Sequence, residues 1–268
     1  MIAPANRRRL VIRIMDVKQY GLLTGLLLGW CLMSSAGPAL VQAQGGSNAN
    51  DAIQPELDRR HLWNFDGEKP GQPPAGFSAG TTGEGPAGQW SVEPDAQAPT
   101  APHRLTQGQS SPNKEGLQIL LADGVTYDYV DLSVRLRPAG DHPQTTGGGG
   151  VIFRAKDARN FYAAIADLAT NSLDLIRVVD GQVTVITHEP IKPKAGPWHL
   201  LRVLHNTILS KDLIEVAFDG KIIYSTWDKA QFGGQIGLVA RGDAAIGFDN
   251  FHAIQLYSQK PLSKPAAY

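Results

Sequence analysis

Two Asp-Gly dipeptides constrain the fold of this chain more than any other feature of its sequence. Asp180-Gly181 lies between residues 173–179 and 182–187, and Asp219-Gly220 lies between residues 213–218 and 221–225. A type I′ turn needs positive φ at both central residues, and Asp-Gly adopts it with a twist that suits antiparallel strands. The sequence therefore predicts two β-hairpins.

Further strand patterns follow one another at short intervals. Val130, Leu132, Val134 and Leu136 alternate with polar residues, and other apolar runs cover residues 151–154, 161–166, 198–204, 235–240, 244–249 and 251–256. The 29 Gly and 18 Pro among 268 residues supply many turns. No segment of useful length has a helical period. These patterns predict an all-β jelly-roll sandwich of two antiparallel sheets over residues 61–257.

The N-terminus has the order of a secretory signal peptide. Five Lys and Arg side chains fall within residues 1–20, an apolar run covers residues 21–33, and Val41-Gln42-Ala43 is a small-residue cleavage site. We predict a cut after Ala43, with Met1 or Met15 as the start. The alternative is an uncleaved membrane anchor, although the run is short of the roughly 20 residues that a span needs.

Cleavage would change both the charge and the redox chemistry of the chain. The leader holds five of 25 Lys and Arg and one of 25 Asp and Glu, so the remainder carries 20 positive and 24 negative groups, or −4. The single cysteine, Cys31, lies in the leader. We therefore predict a periplasmic or extracellular domain without disulfides, with no membrane span after cleavage. Residues 44–60 are predicted to be a flexible spacer and 258–268 a tail, while the oligomeric state stays open.

A series of short stretches supports a family resemblance. In chain order they are residues 89–92 (Gln-Trp-Ser-Val), 98–102, 129–134, 149–154, 160–162, 177–181, 198–203, 218–221, 234–238 and 248–251 (Phe-Asp-Asn-Phe). Together they resemble the concanavalin A-like jelly-roll domains of secreted bacterial proteins. Within these, the chain is most similar to the family 16 glycoside hydrolase-like and 3-keto-disaccharide hydrolase-like domains. The resemblance implies a jelly roll, which serves lectins, hydrolases and structural modules alike.

The sequence lacks the motifs that catalysis on this fold would need. Family 16 enzymes carry a Glu-x-Asp-x-x-Glu strand. The nearest pair here is Glu215 with Asp219, and Asp219 belongs to the predicted hairpin turn. No zinc spacing, nucleophile elbow or P-loop is present, and no large basic excess favours nucleic acid. We therefore predict a non-catalytic domain that binds carbohydrate or cell-envelope glycan, with no catalytic residue. The alternatives are a glycoside hydrolase-like enzyme acting on a (3-keto-)disaccharide or glucan, and a structural or adhesion module that binds protein.

Four side chains are candidates for glycan binding. They are Arg135, Arg154, Tyr162 and Arg177, on strands whose other face is apolar. We expect them to converge on one concave sheet, where arginine forks suit an acidic glycan. Arg154→Ala would then weaken glycan binding more than tenfold and leave the fold intact. The alternative is a solvated sheet face on which these side chains pair with acidic residues.

Three further features carry structural predictions. Asp249 and Asn250, with Asp66, are candidate calcium ligands, because lectin-like jelly rolls hold calcium through such oxygens; the alternative is that they stabilise a hairpin. No other cofactor is predicted. The glycines at 147–150 are expected to let a strand pass close to another backbone. We expect Trp63, Trp90 and Trp198 to fill the core between the sheets.

Overall fold

The structure is a computed structural model that describes residues 59–108, 116–139, 147–208, 211–228, 233–242 and 245–257. All of them belong to the compact unit Ser47–Tyr268, and the other unit, Met1–Gly46, lies outside them. The predicted leader and tail and most of the spacer are therefore outside the described residues. No helix in the described part of the chain is long and apolar enough to cross a membrane.

The described residues form fifteen strands, all paired antiparallel. In chain order they are β1 (Arg60–Trp63), β2 (Phe77–Thr81), β3 (Trp90–Pro94), β4 (His103–Gln107), β5 (Leu117–Tyr127), β6 (Val130–Pro138), β7 (Gly147–Asp157), β8 (Asn160–Asp167), β9 (Ser172–Val179), β10 (Gln182–Pro190), β11 (His199–Ile208), β12 (Lys211–Phe218), β13 (Lys221–Trp227), β14 (Gly234–Gly242) and β15 (Ile246–Gln255).

The strands lie in two sheets. Sheet A has eight strands in the order β13-β12-β11-β6-β15-β4-β3, with β1 paired to β15, and sheet B has seven in the order β10-β9-β8-β7-β14-β5-β2. Both predicted hairpins are present, β9–β10 and β12–β13. Their turns have φ of 49° and 82° at Asp180 and Gly181, and of 49° and 80° at Asp219 and Gly220. The all-β prediction is therefore confirmed.

The main core lies between the two sheets. On β6 the alternating residues Val130 to Leu136 are buried, as their period of two predicts. Trp90 is buried in this core and Trp63 packs against it. The prediction for Trp198 is wrong. Trp198 lies directly before β11 and is partly exposed. Its Nε1 donates a 3.0 Å hydrogen bond to the carbonyl oxygen of Gln97.

The central strands of sheet B are largely apolar on both faces. The outer face of this sheet carries a second buried cluster: Leu117, Ile119, Leu121, Ile152, Ala155, Phe161, Ala163, Ile165, Ile176, Val178 and Val239. Strands covered on both sides read as nearly continuous apolar runs rather than as alternating ones. The expectation that these strands present a polar face is therefore wrong for most of their length, whereas β6, β11 and β12 of sheet A do alternate.

The glycine run at the start of β7 permits a close approach of β8. A Cβ atom on Gly148 would lie 2.7 Å from the carbonyl oxygen of Ala166, and one on Gly150 would lie 1.8 Å from that of Ala164. Real side chains do not tolerate such distances to backbone. The predicted role of these glycines is confirmed.

Candidate functional site

Three of the four predicted ligand-binding residues meet in the structure. Tyr162 on β8 donates a hydrogen bond from its hydroxyl to Asp228 Oδ1, and Arg177 Nη1 on β9 donates to Asp228 Oδ2 at 2.9 Å. Arg154 Nη1 donates to the carbonyl oxygen of Asp228 at 3.0 Å. Arg135 does not join them, because Val134 and Leu136 of β6 face the main core and Arg135 therefore lies on the outer face of sheet A.

Arg154 points between the sheets because of a β-bulge. Val151 and Phe153 face the main core and Ile152 faces outward, so strict alternation would turn Arg154 outward too. Instead its φ is +54°, and the register of β7 and β8 shifts between Phe153 and Asp157. The guanidinium therefore lies over the ring of Tyr162, 5.4 Å from its centroid, and the residue is 2% exposed.

Sheet A completes this buried group. His205 on β11 is 1% exposed, and its Nε2 contacts Arg154 Nη2. Asp212 Oδ2 on β12 lies 3.3 Å from the same nitrogen, and Thr207 donates to Asp212 Oδ1 at 2.8 Å. We call Arg154, Tyr162, Arg177, His205, Asp212 and Asp228 the buried polar cluster. It ties sheet B to sheet A, and only Arg177 and Asp228 reach appreciably toward the surface, with side chains 30% and 14% exposed.

Burial controls the ionisation of this cluster. It lowers the pKa of Arg154, opposed chiefly by the negative charge of Asp212. Burial and then the hydrogen bond to Asp228 raise the pKa of Tyr162 to about 12, so the phenol remains a donor at neutral pH. These contacts are those of an interior network that links the sheets, not of an open ligand groove.

The stability of the protein should depend on pH through His205. Burial, and after it the positive charge of Arg154, lower the pKa of His205 from 6.5 to about 3. Below pH 6.5 the unfolded chain therefore binds a proton that the folded chain does not, so the free energy of unfolding falls as the pH falls. Between pH 6.5 and 5 we expect this group to cost about 2 kcal/mol.

The variant His205→Gln isolates this effect, because its amide oxygen still accepts from Arg154 but does not titrate. In urea unfolding, the free energy of unfolding should fall less between pH 6.5 and 5 for the variant than for the original protein. Equal falls would contradict the assignment to His205.

An open groove lies on the outer face of sheet A. It has a volume of about 260 Å³ and is lined by Leu200, Arg202, Leu204, Glu215, Ala217, Gly220 and Ile222. These residues come from β11, β12, β13 and the turn between the last two. Since opposite residues of antiparallel strands share a face, Leu204 lies beside Glu215, and Ala217 beside Arg202 and Ile222. The groove thus has aliphatic walls with one cation and one carboxylate.

Charged and aromatic side chains lie on the same face of sheet A, in and beyond the lining of this groove. Arg202 donates from Nε and Nη2 to the two oxygens of Asp131 at 2.7 and 2.5 Å. Trp227 is 51% exposed, and Lys211 Nζ lies 5.8 Å from the centroid of its ring. Arg135 is the register partner of Leu200 on the same face.

The sequence analysis did not identify Arg202, Glu215 or Trp227 as site residues. Arg202 and Glu215 each sit at a polar position of an alternating strand, which is a detectable pattern. Arg202 and Glu215 come close together only because β11 pairs with β12, and the sequence of neither strand specifies that pairing.

The predicted calcium ligands are held by hydrogen bonds. Asp249 is fully buried and accepts from Thr100 N at 2.7 Å, Thr100 Oγ1 at 2.9 Å and Asn250 N at 2.6 Å. Burial raises its pKa. Asp66 Oδ1 accepts from His103 N at 3.3 Å. In the described part of the chain, no group of three or more His, Cys, Asp and Glu side chains is arranged to hold a metal. Calcium at Asp249 and Asn250 stays a prediction.

Comparison with known proteins identifies the fold. No family model and no curated protein matches the sequence. The carbohydrate binding module CBM66 from Bacillus subtilis superposes with a TM-score of 0.50 at 16% identity, over 67% of this chain and 96% of that one. The carbohydrate recognition domain of Emp47p gives 0.52 at 14% identity, over 79% and 100%. This similarity shows a jelly-roll fold, and the narrower family label remains a prediction.

Proposed function

We propose that this protein is an exported domain that binds carbohydrate without catalysis, through the groove on the outer face of sheet A. The observation that carries the proposal is the composition of the groove. Leu204, Ala217 and Ile222 offer aliphatic surface to the C–H face of a sugar ring, and Arg202 and Glu215 offer a donor and an acceptor to its hydroxyls. The two similar structures carry carbohydrate-binding names, which supports the same class of ligand.

The proposed absence of catalysis is based on the number of free carboxylates in the groove. A glycosidase of the usual kind needs two free carboxyl groups across the scissile bond. Among the described residues that line the groove, Glu215 is the one carboxylate. The neighbouring Asp131 is engaged by Arg202 through both of its oxygens. We therefore expect the protein to release no reducing ends from glucans or disaccharides. If it did release them, and the variant Glu215→Gln abolished this activity, this part of the proposal would be overturned.

Export is the third part of the proposal, and it rests on the order of residues 1–43. We propose that the mature chain begins at Gln44 and works in the periplasm or outside the cell. N-terminal sequencing of exported protein tests this, and recovery of the intact chain from membranes would exclude it.

Substitutions in the groove and on the sheet face beside it should weaken binding to the glycan that scores highest on a glycan array. Trp227→Ala removes an exposed aromatic platform, and Arg202→Gln removes a charged donor. We expect each to reduce affinity about tenfold, equivalent to about 1.4 kcal/mol, in titration calorimetry. Leu62→Ala is the matched control, because Leu62 is 60% exposed on β1, outside the groove. Unchanged affinity in both groove variants would place the glycan elsewhere.

A further inference from the structure

A second polar group lies on the outer face of sheet B, at its β10 edge. Asp174 on β9 and His188 on β10 are register partners. His188 Nδ1 lies 2.5 Å from Asp174 Oδ1, and Arg241 Nη1 on β14 donates to Asp174 Oδ2 at 2.6 Å. We call Asp174, His188 and Arg241 the β10 edge site. One carboxylate thus holds an imidazole on one of its oxygens and a guanidinium on the other.

The exposure of the three side chains shows which atoms a ligand can reach. The Asp174 side chain is 7% exposed, that of Arg241 29%, and that of His188 65%. Asp174 Oδ1 is the partner of His188 Nδ1, so an imidazole that donates from Nδ1 to this carboxylate keeps Nε2 free to accept. Its Nε2 then carries a lone pair directed at solvent, as in a histidine that accepts a proton or hydrogen bond from a substrate.

The glycine run of β7 makes this arrangement possible. Strands β7 and β8 separate β14 from β9, so the Arg241 side chain has to cross both strands to reach Asp174. Arg241 is the register partner of Gly148, and Gly150 follows two residues later on the same face. Because neither glycine carries a side chain, the path of the guanidinium over β7 is free.

An exposed apolar strip continues from the site along β10. Val185 and Val183 pair with Ile176 and Val178 of the outer cluster, and so lie on the same face as His188. Their exposed fractions are 53% and 46%. The strip ends beside a cavity of about 530 Å³ that Val183 helps to line. An amphipathic ligand therefore finds aliphatic surface next to the polar group.

We propose that the β10 edge site binds a hydroxycarboxylate, such as a uronic acid residue of a glycan. His188 Nε2 accepts a hydrogen bond from the hydroxyl, and Arg241 donates to the neighbouring carboxylate with N–H groups that Asp174 does not use. The valines contact the C–H face of the ligand. This site lies on the other sheet from the groove, and the proposal does not depend on the function assigned to that groove.

The test uses sodium glucuronate and, as the neutral counterpart, glucose, added to the full chain in NMR titrations. The ¹⁵N shifts of His188 should first report an imidazole protonated on Nδ1. Glucuronate should then move the His188 resonances in a saturable way, and glucose should not. We expect His188→Phe to reduce glucuronate affinity about fivefold and Arg241→Gln tenfold or more. Because the His188 side chain is 65% exposed, we expect His188→Phe to fold normally.

His252→Gln, on sheet A, is the control and should bind glucuronate normally. Unchanged affinity in His188→Phe, a proton on Nε2 instead of Nδ1, or an equal response to glucose would each overturn the proposal. The indole resonance of Trp227 reports the groove on sheet A separately. A glycan response there without a response at His188 would leave the proposed function standing and remove this inference.

Discussion

Replacing Gly150 with alanine should destabilise the protein by about 3 kcal/mol or more, at the upper end of the range for overpacked cores. The new Cβ would lie 1.8 Å from the carbonyl oxygen of Ala164, so β7 and β8 would have to separate where their backbones pair. A shift of the backbone affects every pair along the two strands, whereas a crowded side chain can often rotate away. In thermal unfolding we expect the midpoint to fall by roughly 10 °C.

Gly67→Ala is the matched control for this substitution. A Cβ on Gly67 would meet nothing within 4 Å, and no positive φ strains an alanine there. We expect the control to unfold within about 0.5 kcal/mol of the original protein. Indistinguishable midpoints for Gly150→Ala and Gly67→Ala would contradict the close approach of β8.

Replacing Arg154 with alanine should cost about 3–5 kcal/mol in the free energy of unfolding. Its guanidinium contacts Asp212, His205 and the backbone of Asp228 between the sheets, so the substitution leaves a buried carboxylate without its cation. The burial of Arg154 argues against the expectation that Arg154→Ala leaves the fold intact. The physical reason is that Arg154 supports the interior instead of facing a ligand.

Two companion variants test this assignment. Arg135→Ala removes a partly buried arginine from the outer face of sheet A and should change stability by less than about 0.5 kcal/mol. Asp212→Asn in the Arg154→Ala background removes the unpaired charge and should recover part of the loss, as a double-mutant cycle would show. Additive effects of the two substitutions would exclude a direct coupling between Arg154 and Asp212.

The local pattern of the chain determined its fold class. Asp-Gly turns need positive φ, alternation marks a strand with one buried face, and both depend only on near neighbours. The two hairpins and the alternating strand β6 are therefore present as predicted. Residues 244–249 and 251–256 are predicted as two strands, whereas the structure has the single strand β15, Ile246–Gln255, in this region. A register shift between Asp249 and His252 lets Phe248 and Phe251 both enter the core.

The candidate sites depended on pairings that the strand patterns do not contain. Arg135 and Arg154 are expected on the polar face of one sheet. Arg135 lies on the polar face of sheet A, whereas a bulge in β7 turns Arg154 of sheet B into the interior. The groove residues Arg202 and Glu215 come together through the register of β11 and β12, and Arg241 reaches Asp174 across two strands. Period and turn chemistry act over a few residues and so can be read from the sequence. Sheet order, register and bulges follow from how two whole sheets bury their apolar faces together, which only the tertiary structure decided.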